Sequence, residues 1–85
     1  MNKHYFEVVS SGLNPDFRES LYHRAGGWQN VFTYGKSNGN LVLEVPASVK
    51  GSIAQLLMDW EISVVADSDS PEIVWGAESG STQAP

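Results

Sequence analysis

"QNVFTYGKSNGNLVLEVP", Gln29 to Pro46, carries the strongest local signal in the chain: two β-rich runs flank Asn38-Gly39. That dipeptide suits a two-residue type I′ hairpin turn, in which both central residues need positive φ. Folding about this turn sets Tyr34 opposite Leu43 and Phe32 opposite Val45. Alternation then places Phe32, Tyr34, Leu41, Leu43 and Val45 on one face, and Val31, Thr33, Val42 and Glu44 on a mixed, wetter one.

Upstream of the hairpin, "HYFEVVS" (His4 to Ser10) alternates as a strand, with Phe6 and Val8 on one side. Asn14-Pro15-Asp16 then reads as N-cap, first helical residue and first-turn acid. Phe17, Leu21 and Ala25 continue one apolar stripe to Gly26-Gly27, which can take the left-handed cap conformation, so a helix is predicted over about 15–25. Downstream, Pro46 ends the hairpin and Ser48 is placed to cap a second helix. Its stripe is Val49, Ile53, Leu56, Leu57 and Trp60. "ISVVA" (62–66) reads as a strand, "DSDSP" as a turn and "EIVWG" (72–76) as an additional C-terminal strand.

These elements predict one α+β domain over 1–76, with an antiparallel sheet covered on one face by two helices, followed by a flexible tail over 77–85. The order β-α-β-β-α-β resembles that of ferredoxin-like domains in element order only, over about residues 4–66. Enzymes, RNA binders, metallochaperones and sensors share that order, so it implies no activity.

The chain of 85 residues buries only roughly 60 to 65% of its unfolded surface, which leaves no room for a second core. Hydrophobic residues at 41%, nine aromatics among them, suffice to fold it. A net charge of −5 opposes direct binding to a phosphate backbone. Zero cysteines exclude disulfides, zinc thiolates and thiol catalysis, and suit a reducing cytoplasm. No apolar run has the length of a signal peptide core or a membrane span.

No residue set converges on catalysis, a cofactor or a metal. Asp16, Glu19 and His23 share a helix side, yet no further ligands complete a metal site, and interleaved Arg18 and Arg24 suit a solvated face. Nothing local orients His4 or His23. "DSDSPE" lacks the spacing of a calcium loop, and Gly35-Lys36-Ser37 lacks the upstream glycine of a P-loop. The expected function is therefore a non-enzymatic protein-binding module: a regulator, inhibitor or immunity-type protein that meets a basic partner. Trp28 and Trp75 serve as aromatic anchors, with Glu44, Asp67, Asp69 and Glu72 as the acids. A small-ligand regulatory domain is the alternative, with an anion held by Ser48, Lys50 and Ser52 at a helix N-terminus. A small enzyme or minor enzyme subunit, built on either histidine, is a third reading. Homodimerisation is open to an unpaired hairpin edge, where Lys36 is the one charge available as a guard.

Overall fold

The computed structural model describes residues 2–9 and 13–75. Strand β1 spans Lys3–Val8, helix α1 Pro15–Arg24, β2 Phe32–Gly35, β3 Leu41–Pro46, helix α2 Lys50–Asp59, β4 Val64–Ser68 and the short helix α3 Glu72–Trp75. One-turn 3₁₀ segments, Trp28–Asn30 and Ala47–Val49, lead into β2 and α2. The strands form one antiparallel sheet in the order β2-β3-β1-β4. Each of α1 and α2 thus joins two strands that are separated by a third.

The helix ends follow from backbone chemistry. Asn14 Oδ1 accepts the Phe17 N–H at 2.8 Å, satisfying an otherwise orphaned donor of α1. At its other end Gly26 has φ 88°, with Gly26 N–H bonded to His23 O and Gly27 N–H to Tyr22 O. That pair of bonds is a Schellman cap, as the two glycines predict. Helix α2 ends in the same motif without a glycine: Glu61 has φ 58°, its N–H reaches Met58 O, and Ile62 N–H reaches Leu57 O. Ile62 and Leu57 are both buried in the core, the apolar contact that accompanies this cap. Glu61 is the only described non-glycine residue at positive φ, so Glu61→Gly should stabilise the fold by about 1 kcal/mol, read as a raised urea midpoint at constant slope.

Three expectations are corrected. First, the hairpin register is shifted by one: Phe32 faces Glu44, Tyr34 faces Val42 and Gly35 faces Leu41. Lys36 N–H bonds to Asn40 O, and Gly39 N–H bonds back to Lys36 O. The loop therefore has three residues, with Gly39 at φ 91° as the left-handed third. A type I turn followed by a glycine bulge replaces the two-residue turn, and Asn38 does not need positive φ. Because side chains alternate with period two, one extra loop residue moves Phe32 and Tyr34 to the face opposite Leu43 and Val45.

Second, residues 72–75 form helix rather than strand. Ser70 Oγ accepts the Glu72 N–H, while Ile73 N–H and Val74 N–H bond to Ser70 O and Pro71 O. Ser70-Pro71-Glu72 repeats the cap, proline and acid of Asn14-Pro15-Asp16, and this outweighs the β preference of Ile73 and Val74. Gly76 and the tail over 77–85 lie outside the described residues. Third, Ser48 does not cap α2. Its position falls inside the preceding 3₁₀ turn, Val49 occupies the cap, and no side chain bonds there. The turn starts early because Ala47 N–H is tied to Asn2 O at 3.1 Å.

The core lies between one sheet face and the two longer helices. Phe6, Val8, Leu43 and Val45 meet Phe17 and Leu21 of α1, Ile53, Leu56 and Leu57 of α2, and Ile62. The other sheet face carries Tyr5, Glu7, Phe32, Tyr34, Val42 and Glu44 by the observed register. Helix α3 and the residue before it lie over part of this second face, where Tyr5, Tyr34, Pro71 and Val74 line a cavity of about 60 Å³.

Candidate functional site

Two polar clusters occupy opposite faces of the sheet. The first joins β1 to β4. Antiparallel pairing of Tyr5 with Ser68 and of Phe6 with Asp67 leaves His4 on the same face as Asp67 and just across from Asp69. His4 Nδ1 lies 2.5 Å from Asp69 Oδ1, and Nε2 lies 2.9 Å from Asp67 Oδ2. An ionised carboxylate only accepts, so a doubly protonated ring satisfies both contacts and a neutral ring only one. The imidazole is buried, and Phe6 packs edge-on against it at 4.7 Å between centroids. The two carboxylates are 55% and 70% exposed. Lys50 Nζ stands 3.7 Å from Asp69 Oδ1. The hydrogen bond from His4, and next the Lys50 charge, hold the Asp69 carboxyl below its ordinary range.

This arrangement presents carboxylates to solvent and withholds the histidine. With both ring nitrogens engaged and the ring buried, no imidazole nitrogen is left to exchange a proton with a substrate. Among the described residues no group of three or more His, Cys, Asp or Glu side chains is arranged to hold a metal ion.

The second cluster is built on Glu7, buried on the open face. Lys36 Nζ donates to Glu7 Oε1 at 3.0 Å, and the side-chain amides of Asn38 and Asn40 donate to Oε2 at 3.2 and 3.0 Å. Burial alone pushes the Glu7 carboxyl up. The Asn40 amide, the Lys36 ammonium and the Asn38 amide outweigh that, and its pKa falls below the usual value. Both partners of the ion pair are only 8% exposed. Lys36 also donates to Ile73 O at 3.3 Å, which ties α3 to the sheet. Beside this pair Tyr34 Oη donates to Glu44 Oε1 at 2.5 Å. That bond, then burial and the Glu44 charge, push Tyr34 up to about 12, while burial and then Glu44 raise Tyr5.

Of the residues singled out from sequence, Asp67 and Asp69 come together on His4, and Glu72 follows, exposed in the first turn of α3. Glu44 does not join them; it faces the opposite side and holds Tyr34. Trp28 is 72% exposed in the 3₁₀ turn before β2, at the sheet edge remote from β4. Trp75 closes α3, and its side chain lies outside the described ones. The three anion candidates do not converge. Lys50 turns to Asp69, Ser52 offers its carbonyl and hydroxyl oxygens to Arg24 Nη1, and Ser48 is exposed in its own turn.

His23 lines an open groove of about 390 Å³ between α1 and α2, together with Glu19, Arg24, Asp59 and Trp60. Lys36, the cation of the P-loop-like tripeptide, is taken up by Glu7. Sequence reasoning missed the roles of His4, Glu7, Asn38 and Asn40. His4 meets its partners across 63 and 65 residues, and only the corrected hairpin register shows which side chains Glu7 can reach. Comparison with protein families, with curated proteins and with solved structures finds no match for this chain.

Proposed function

We propose that this is a small, non-enzymatic protein-binding module of the regulator, inhibitor or immunity type, working in the cytoplasm, whose β4 edge meets a basic partner. The observation that carries the reading is that buried His4 fixes two mostly exposed carboxylates, Asp67 and Asp69, beside a sheet edge. Carboxylates already held in place lose little freedom on binding, and a chain of net charge −5 steers a cationic partner toward them. Val64 and Val65 on the same strand are 42% and 53% exposed, which adds apolar area next to the charges. A ferredoxin-like arrangement of the split β-α-β units belongs to this proposal. It accounts for a sheet with two open edges and leaves function to the surface residues.

The test is affinity capture from a lysate of the source organism at low and high salt, with the native chain and Asp67→Asn/Asp69→Asn as baits. A stoichiometric, salt-sensitive partner retained by the native chain should fall at least about tenfold on the variant, as the loss of two charge-assisted contacts implies. A partner held equally by both baits moves the site away from β4, and no partner at either salt counts against the module itself.

A further inference from the structure

We propose that a second copy of this chain pairs with the outer edge of β2, joining two sheets into one continuous sheet across a twofold axis. Among the described residues no strand pairs with that edge. The strand presents Phe32, Thr33, Tyr34 and Gly35, and is the one strand of the four without an acidic or basic side chain. Lys36, next in sequence, does not guard it, because its ammonium is folded inward onto Glu7 and Ile73 O. Phe32 is 50% exposed, and Trp28, 72% exposed, precedes the strand. An edge of this kind, with no charge, proline or bulge, is open to pairing.

Hydrogen-bond alternation defines which groups are available. Lys36 and Asn40 form a bonded pair, so alternation makes Tyr34 with Val42 and Phe32 with Glu44 the other bonded pairs. The N–H and C=O of Thr33 and Gly35 therefore point outward. A twofold at Thr33 lets its N–H and C=O exchange bonds with those of Thr33 in the second copy. The same register sets Phe32 beside Tyr34 of the second copy on the open face, an aromatic cross-strand pair.

Charge selects between the two edges. Two chains of net charge −5 repel, so self-association is least opposed where the pairing strand carries no charge of its own; β2 meets that condition, and the charge over its Phe32 ring, the Lys3 ammonium 5.8 Å from the centroid, is opposite in sign to the net charge. An isologous contact also needs only one self-complementary patch. The opposite edge fails on both counts. Pairing β4 with itself gathers Asp67 and Asp69 of both copies at one seam, and the register shift between Glu7 and Val8 makes that edge irregular.

Sedimentation velocity from micromolar to near-millimolar chain should show a weight-average mass rising from 9.3 kDa toward twice that value. Phe32→Lys and Thr33→Pro, each with an unchanged far-UV spectrum, should stay monomeric, while Val65→Lys on β4 should still dimerise. Hydrogen exchange on the native chain needs no variant: Thr33 and Gly35 amides should slow as concentration rises, and Val65 should not. A monomer throughout, exchange independent of concentration, or a dimer lost only in Val65→Lys overturns the proposal. It does not rest on the basic partner at β4: a chain that dimerises yet captures nothing loses that reading alone, and the converse result loses this one alone.

Discussion

Lys36→Met is expected to cost about 3 to 5 kcal/mol, because it leaves the Glu7 carboxylate buried without its ammonium. An 85-residue domain has roughly 4 to 13 kcal/mol in total, so the variant should sit near its unfolding midpoint in mild urea. The double variant Glu7→Leu/Lys36→Met should recover most of the loss, since two apolar side chains of similar size need no partner. Asn38 is exposed and Asn40 half-buried, so water can replace the carboxylate for their amides. Urea titration of native, single and double variants measures all three states, and a Lys36→Met loss under about 1 kcal/mol would mean that the pair is hydrated.

Acid behaviour follows with a defined sign. The folded Glu7 carboxyl titrates below its unfolded value, so its contribution is complete above that unfolded value of roughly 4.3. It is lost as pH falls through the folded value.

The second large effect is expected at Phe17, fully buried where α1 meets α2 and the sheet. Phe17→Ala should cost about 3 to 5 kcal/mol, from lost transfer free energy and the cavity left behind. The ring also meets Trp60 edge-on at 5.7 Å between centroids. Its removal should therefore perturb the indole emission even in the folded fraction. Phe17→Leu keeps most of the volume and should cost less than half as much. Equal losses for the two variants would show that the aromatic contact, rather than filled space, sets the value.

These two residues also mark how far the sequence was readable. Phe17 was legible as core because its stripe continues at Leu21 and Ala25, a periodicity that needs no tertiary knowledge. The Glu7–Lys36 pair was not, because it depends on the hairpin register. That register turned on whether Asn38-Gly39 fills the whole turn or its second half, and both choices satisfy glycine's conformational freedom. Helix α3 has a start signal in Ser70-Pro71-Glu72, which the β-prone apolar residues after it obscure. The acids Asp67 and Asp69 were found from composition, whereas the histidine that fixes them was invisible to any local pattern.

The placement of β1 bears on how the chain acquires its structure during synthesis. Of the four described strands, the first in chain order is an interior one: Lys3 pairs with Pro46 and Tyr5 with Ser68. A nascent chain halted after β3 has one flank of β1 unmatched and His4 without either acid. The contacts that complete the sheet are among the longest in sequence that the chain can make, and closing them is the entropically costly step. The sheet can therefore be completed only after translation has passed residue 69, and until then one edge of β1 has no strand to pair with.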